Sequence, residues 1–212
     1  MFYGRPLNTT EEFKKYYLKE QTAEFVQSQE CKGLNAPIPT LNEVLDILKQ
    51  AKNPDFIINL ELKEYTPKAI PIVLDLLIEK NLLERSYLAS FRRRHKQVLH
   101  EELQKRNLPK MPFGRLSEQP GNLDVDRMIS EFVPGDMVTV ERKTLFKEFD
   151  HFFKPDLERL RAAGFKIGMW YSAGDPIESV EDYKLLIEEK GVNYFILNSI
   201  AGVGDFKAQQ GN

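Results

Sequence analysis

A carboxylate and an ammonium group stand two residues apart at the end of a short apolar run. Glu61 and Lys63 follow a short run, Phe56, Ile57, Ile58 and Leu60, that is apolar on both faces of an extended chain. Such a run is typical of a parallel strand covered on both sides. Side chains alternate along a strand, so residues two apart point the same way. The spacing indicates one shared face at a strand's carboxyl end, where parallel α/β folds bind ligands.

A simpler interpretation of this pair is a surface charge pair where a strand meets its loop. The spacing of Glu61 and Lys63 does not separate the two interpretations, because two charges do not by themselves make a site. The choice between the two interpretations therefore depends on the sequence on either side of the pair.

Strand candidates recur at intervals of about 25 to 30 residues, with helical patterns between them. The predicted strands begin near residues 56, 87, 111, 138, 166 and 194. Thr40 and Glu43 form the capping box of a helix predicted over about Leu41 to Lys52. These intervals match one strand plus one crossover helix and predict a parallel sheet, either doubly wound or curled into a TIM-type barrel. No glycine-rich phosphate loop follows any strand, which favours the barrel.

The remaining composition limits the function classes. The 212 residues include 30 basic and 32 acidic side chains, so nucleic acid is not expected as a partner. Cys31 is the only cysteine, which excludes an intrachain disulfide and a cysteine-rich metal site. No apolar run reaches the roughly 20 residues of a membrane span, and no secretory signal is present, so we expect a cytoplasmic location. The expected organisation is an irregular segment at 1–39, a β/α barrel portion at 40–200 and a tail at 201–212.

Two segments together resemble the glycerophosphodiester phosphodiesterase family. They are I-P-T-L-N-E-V-L-D-I-L at 38–48 and I-N-L-E-L-K at 58–63, which match the family's I-P-T-L-x-E-x-L helix and its strand ending in E-x-K. The family also has a strand ending in Ser-Phe and a W-T-x-N-like strand, and this sequence has Ser90-Phe91 and Trp170 at those places. The sequence at 191–198 corresponds to the closing strand, so the resemblance covers roughly residues 38–198.

The resemblance implies a TIM-type barrel that hydrolyses glycerophosphodiesters to glycerol 3-phosphate and an alcohol, in lipid metabolism. It implies a divalent cation, Mg²⁺ or Ca²⁺, with Glu61 as a metal ligand and Lys63 as the group that stabilises the phosphate. Trp170 and Ser90 would contact the small-molecule substrate, with Trp170 against its glycerol or alcohol portion. An aromatic that fills the core or the barrel mouth remains the alternative for Trp170.

Several motifs of the family are missing from this sequence: H-R-G, P-E-N-T, the E-x-D pair and the H-D pair, which supply the acid, the base and the other metal ligands. We therefore expect an incomplete barrel, about strands 4–8 of the family fold plus an extra strand. A short protein, an incomplete gene model and a fragment all fit this pattern. Exposed sheet edges would promote self-association. The alternative function is a non-catalytic pseudoenzyme or interaction domain that retains part of the barrel.

Other charged residues fit structural roles at least as well as functional ones. His95, His100 and His151 lie outside the family's histidine motifs and are expected to be packing or surface residues. The basic run at 92–96 follows the predicted Ser90-Phe91 strand, so both a phosphate contact and a solvated helix start are possible. The cluster at 141–143 is expected to be a solvated group of charges just past a strand.

Overall fold

The computed structural model describes residues 21–29, 36–53, 56–63, 67–118, 123–142, 154–171 and 179–196. In these ranges the helices are α1 (Ala23–Gln27), α2 (Leu41–Leu48), α3 (Ala69–Glu79), α4 (Arg93–Lys105), α5 (Val125–Ser130), α6 (Lys154–Ala162) and α7 (Val180–Glu188), with a 3-10 turn at Leu83–Arg85. The strands are β1 (Ile58–Glu61), β2 (Ser86–Ser90), β3 (Phe113–Ser117), β4 (Met137–Glu141), β5 (Lys166–Trp170) and β6 (Tyr194–Ile196). The chain divides into two compact units, Met1–Ile58 with Leu62–Ser86, and Asn59–Glu61 with Tyr87–Asn212.

The first unit contains helices α1 to α3. Helix α2 begins with the predicted capping box: Thr40 Oγ1 accepts from Glu43 N at 3.2 Å, and Glu43 Oε2 accepts from Thr40 N at 2.7 Å. The helix ends at Leu48, before the predicted Lys52. Among the described residues of this unit, the fully buried side chains include Leu45, Ile70, Leu74, Leu77 and Leu82.

Arg85 fixes the chain that leads into β1. Its Nη2 donates to the Asn53 carbonyl at 2.8 Å and its Nε to the Phe56 carbonyl at 3.2 Å. The guanidinium also lies 5.9 Å from the centroid of the Phe56 ring. One side chain therefore donates hydrogen bonds to two backbone carbonyls that lie outside the described strands.

The second unit contains a sheet whose six described strands follow the order β1-β2-β3-β4-β5-β6. Every neighbouring pair from β2 to β6 is parallel. The predicted strand positions are confirmed, and so is the parallel α/β class. A doubly wound sheet reverses its strand order at a switch point, whereas each strand here lies beside its neighbour in sequence. The sheet is therefore part of a TIM-type barrel, and its described strands account for six of the eight that such a barrel has.

The two faces of this sheet carry different side chains. The face toward the helices forms the larger apolar core, and its members include Val138, Val140, Leu157, Leu160, Ile167, Met169 and Leu186. The opposite face carries Tyr87, Ala89 and Leu116, with Phe91, Met137 and Trp170 packed against them. We call this second set, together with Thr139 and Gly168, the inner face. Gly168 admits the ring of Tyr194, since an added Cβ would lie 2.1 Å from the Tyr194 Cζ.

Strand β1 differs from the expectation of cover on both faces. Ile57 precedes the strand and is 53% exposed, and Asn59 within it is also exposed. The prediction of an apolar run buried on both sides is wrong for Ile57. The reason is that β1 stands first in the strand order, with β2 on one side, so it is less enclosed than the strands that follow. Within the described ranges, none of the helices has the length and apolar character that crossing a membrane requires.

Candidate functional site

Glu61 is the last residue of β1, and Lys63 follows two residues later in non-strand backbone. Both side chains are half-buried, and the Oε1 atom of Glu61 is buried. The structure therefore places the Glu61 carboxylate at the carboxyl end of a strand, as the sequence predicts. The shared face of Glu61 and Lys63 stays a prediction, since strand alternation ends with β1 at Glu61.

Ser90 ends the neighbouring strand β2 and is completely buried. Its Oγ accepts a hydrogen bond from the Arg92 backbone N–H at 3.0 Å and lies 2.9 Å from His95 Nδ1. His95 stands in the first turn of α4 and is also completely buried, which confirms its predicted role as a packing histidine. These contacts stabilise the turn from β2 into α4. Contact between Ser90 and a substrate stays a prediction.

Phe91 connects this turn to Trp170. The two rings meet edge to face, with centroids 5.6 Å apart and planes at 83°. The Phe91 carbonyl accepts a hydrogen bond from Arg115 Nη1, and burial lowers the pKa of Arg115, as does the nearby charge of Arg92. Trp170 ends β5 and is half-buried, so it packs on the inner face and also keeps exposed surface.

A charged cluster at the ends of β4 and β5 was not predicted from the sequence. Arg142 donates to both carboxylate oxygens of Asp182, at 2.8 and 2.7 Å, and Tyr171 donates to the same carboxylate at 2.6 Å. The Arg142 guanidinium lies 5.6 Å from the Tyr171 ring centroid. Burial raises the pKa of Asp182, but the hydrogen bonds from Arg142 and Tyr171 outweigh it, so the pKa falls below its ordinary value. Burial and the Asp182 carboxylate raise the pKa of Tyr171.

The expectation that residues 141–143 are solvated is wrong for the two that the structure describes. Glu141 is only 5% exposed, and Arg142 is largely buried against its partners. The reason is that Glu141 still belongs to β4 and Arg142 reaches the first turn of α7. Alternation in V-T-V-E-R could have indicated that Glu141 shares a face with Thr139, but nothing local signals the ion pair 40 residues away.

Two residues of the basic run at the start of α4, Arg93 and Lys96, contact acidic groups. Arg93 lies 3.3 Å from Asp124 and 3.4 Å from Glu131. Lys96 lies 2.6 Å from Asp136 and is largely buried, so a solvated helix start is wrong for this residue. These ion pairs connect α4 to the segment from α5 to β4.

Among the described histidines, His100 also has a structural contact. His100 is half-buried, its Nε2 lies 3.3 Å from the Met111 carbonyl, and burial lowers its pKa. His151 lies outside the described residues. Among the residues that the structure describes, no group of three His, Cys, Asp or Glu side chains could hold a metal ion. Glu61 offers one oxygen ligand of the kind that Mg²⁺ and Ca²⁺ take, so these residues alone do not complete a metal site.

The strand order and the placement of polar side chains at strand ends define the class: a TIM-type β/α barrel with its candidate site at the carboxyl ends. The chain has the fold of the glycerophosphodiester phosphodiesterases. A Galdieria sulphuraria protein proposed to be such an enzyme superposes with a TM-score of 0.74 at 22% identity, over 98% of this chain and 79% of that one.

Two bacterial enzymes of the same description are also similar in structure. The Parabacteroides distasonis enzyme gives a TM-score of 0.63 at 16% identity, over 92% of this chain and 74% of that one. The Agrobacterium tumefaciens enzyme gives 0.54 at 16% identity, over 82% of this chain and 64% of that one. No protein-family model matches the sequence, and no curated protein matches it. The fold that the resemblance predicts is confirmed.

Proposed function

We propose that this protein hydrolyses glycerophosphodiesters to glycerol 3-phosphate and an alcohol in a metal-dependent reaction. The observation that carries this proposal is the position of Glu61, in the segment I-N-L-E-L-K, at the end of a strand in a fold shared with glycerophosphodiester phosphodiesterases. Carboxyl ends of strands are where TIM-type barrels place their active sites. We infer the reaction from the proteins that share the fold, and we assign the residues from the sequence of this chain.

Each proposed residue has a separate task. Glu61 would provide one carboxylate ligand to Mg²⁺ or Ca²⁺, and Lys63 would stabilise charge on the phosphate. When bound, the cation would polarise the phosphoryl oxygen. Trp170 would pack against the glycerol or alcohol portion with the surface that it leaves exposed. Ser90 would contact the substrate at the turn that it stabilises through its hydrogen bonds with Arg92 and His95.

A second candidate function is binding of the same ligands without turnover. The H-R-G and H-D motifs of the family are absent from the sequence. Of the histidines that the structure describes, His95 is buried beside Ser90 and His100 lies beside the Met111 carbonyl. Proton transfer by a positioned group typically contributes about 10² to 10⁴-fold to rate. In this second function the chain binds substrate and turns it over slowly or not at all.

Turnover and binding can be measured on the same purified chain. Glycerol 3-phosphate released from glycerophosphocholine is followed by a coupled assay with Mg²⁺, with Ca²⁺ and with a chelator. Binding is followed by the fluorescence of Trp170, the only tryptophan in the sequence. Metal-dependent release supports hydrolysis, and binding without release supports the non-catalytic function. If the chain neither binds glycerophosphocholine nor releases glycerol 3-phosphate from it, both proposed functions are refuted.

A further inference from the structure

A polar cleft of about 780 Å³ lies between helix α4, the segment that leads into β3 and the end of α5. This volume is within the range of pockets that hold small-molecule ligands, roughly 300–1,000 Å³. The walls include Lys96 and His100 on α4, Lys110 after it, and Arg127 and Glu131 at α5. Because these walls precede β3 and β4 in the chain, the cleft is at the amino end of the sheet, away from the candidate site at the carboxyl end.

The charged groups of the cleft near α5 have partners of opposite charge. The Glu131 carboxylate lies 2.6 Å from Arg127 Nε and 3.4 Å from Arg93. Lys96 Nζ donates to the Asp136 carboxylate at 2.6 Å and to the Glu131 carbonyl at 2.7 Å. These ion pairs neutralise the side of the cleft that faces α5.

Lys110 differs from these groups. Its side chain is exposed, and it forms no ion pair with another described residue. The exposed carboxylate of Glu101, also in the cleft, accepts from Gln97 Nε2 of its own helix at 2.8 Å. Lys110 directly precedes Met111, whose carbonyl contacts His100. The backbone therefore brings an ammonium group without a carboxylate partner close to the imidazole.

One ring nitrogen of His100 is used by the backbone. Nε2 lies 3.3 Å from the Met111 carbonyl, and because a carbonyl only accepts, Nε2 carries the proton. Nδ1 has no hydrogen-bond partner among the described residues, so it becomes a free donor once the ring is protonated. Burial lowers the pKa of His100, although the bond to the Met111 carbonyl opposes it. The charges of Lys96 and Lys110 lower this pKa further, and the Asp136 carboxylate offsets part of their effect.

An oxyanion fits this arrangement. A phosphate group carries negative charge and several acceptor oxygens, so it can pair with the Lys110 ammonium and accept from Nδ1 of a protonated His100. We propose that the cleft binds a phosphate group, free or carried by a small molecule, with Lys110 as its charged partner and His100 as its hydrogen-bond donor. This site is additional to the proposed hydrolysis and does not rest on it.

Sulfate is the first probe, because it stays doubly charged where histidine titrates, whereas phosphate changes its charge there. The Cε1–Hε1 NMR signals of the histidines, followed against pH in the full chain, report the pKa of each ring. The signal missing from His100→Gln identifies His100 among the three histidines of the sequence. We expect sulfate to raise the pKa of His100 in a saturable manner, beyond the effect of sodium chloride at the same ionic strength. Equal effects of sulfate and chloride would overturn the proposal.

Binding and protonation of His100 are reciprocal, so sulfate affinity should rise as the pH falls from about 7.5 to about 5.5. In His100→Gln this rise should be lost. Circular dichroism shows whether the variant is folded, and the pKa of His100 in the wild-type chain tests the same contact without any substitution. A rise that persists in folded His100→Gln would overturn the role of His100.

Lys110→Gln tests the charged partner at an exposed position, where the fold does not depend on the side chain. It should weaken sulfate binding by about fivefold, the upper value for an exposed ion pair. Lys49→Gln is the matched control, because Lys49 is also exposed and lies outside the cleft, at the C-cap of α2. Equal sulfate affinities in the two variants would overturn the assignment of the site to Lys110.

Two further titrations, followed by the His100 signal, distinguish the sources of the phosphate group. Glucose 6-phosphate should bind more tightly than inorganic phosphate if the cleft takes an organic phosphate, since the amides of Gln104 and Asn107 line it and can contact hydroxyl groups. Equal affinities would assign the cleft to free phosphate. A chain that binds sulfate but neither phosphate compound would overturn the assignment to phosphate.

Discussion

Two aspartates, one buried and one partly buried, make different contacts at opposite ends of the same sheet. Asp136, before β4, is 1% exposed in its side chain and accepts from the backbone N–H groups of Phe113 and Val133, at 2.8 and 2.9 Å, and from Lys96. Asp182, at the carboxyl end, accepts from the side chains of Arg142 and Tyr171. Because Asp136 accepts from backbone N–H groups, it helps to fix the path of the chain at the amino end of the sheet. The contacts of Asp182 are with side chains, which can vary at the carboxyl end without changing that path.

The largest effect is expected at the amino end. Asp136→Asn leaves the Lys96 ammonium without its charged partner. It also replaces one carboxylate oxygen, which accepts hydrogen bonds, by an amide NH₂ group that faces other donors. We expect a loss of about 3–5 kcal/mol in the free energy of unfolding, the cost of breaking a buried ion pair. Urea denaturation measures it. Asp126→Asn is the control, because its ion pair with Arg159 is 85% exposed at Asp126 and should contribute little. Equal losses in the two variants would contradict the structural role of Asp136.

A second variant tests how tightly the inner face is filled. Gly168→Ala places a methyl group against the ring of Tyr194, with which it would clash at 2.1 Å. We expect a loss of about 3 kcal/mol, at the upper end of the usual range for an overpacked core. The same substitution in a Tyr194→Leu background should cost clearly less, and the double-mutant cycle measures that coupling. An unchanged cost would mean that the ring does not occupy this space.

Asp182→Asn tests the carboxyl end and should cost about 2 kcal/mol at pH 7, within the range for hydrogen bonds to charged groups. Burial works against ionisation of Asp182, but hydrogen bonds from Arg142 and Tyr171 hold its pKa below the ordinary value. A lowered folded-state pKa stabilises the fold above the unfolded pKa, about 3.9, and the contribution is lost as pH falls through the folded pKa. Wild-type protein should therefore lose more stability than Asp182→Asn when urea denaturation is repeated below about pH 4. Parallel losses would show that Asp182 does not carry this acid sensitivity.

The smallest effect is expected for Ser90→Ala, which removes one buried hydroxyl between Arg92 and His95. We expect about 1 kcal/mol in unfolding free energy. Glycerol 3-phosphate affinity, measured by Trp170 fluorescence, decides the predicted substrate role of Ser90. A fall in affinity would support that role, and unchanged affinity would leave Ser90 with the turn alone.

The sequence predicted the features that depend on local pattern. The strands recur where alternation and apolar runs placed them, and Thr40 and Glu43 form the capping box that their spacing indicates. The position of the Glu61 carboxylate at a strand end was predicted as well, because it follows from the apolar run just before it. Short-range patterns do not specify partners far apart in sequence, so the bonds of Asp136 to Phe113, 23 residues away, were not predicted. The same holds for the cluster around Asp182.

Other differences arise from position in the sheet and from helix ends. Ile57 looked buried because its run is apolar, yet the first strand in the order has less cover. Helix α5 begins at Val125, because Asp124 caps it by accepting from the Arg127 backbone N–H. Periodicity does not fix such ends, whereas a capping side chain does.

The most direct test of the central claim is the metal affinity of the Glu61→Gln variant. Isothermal titration calorimetry with Mg²⁺ and with Ca²⁺, each in the presence of glycerol 3-phosphate, compares it with wild-type protein and with Glu79→Gln, an exposed position on α3. We expect Glu61→Gln to weaken metal binding by more than about tenfold, since even groups that only support metal ligands contribute 10- to 100-fold. The melting temperature should stay unchanged, and Glu79→Gln should bind as wild type does. Equal metal affinity in all three proteins would contradict the assignment of Glu61 and, with it, the proposed site.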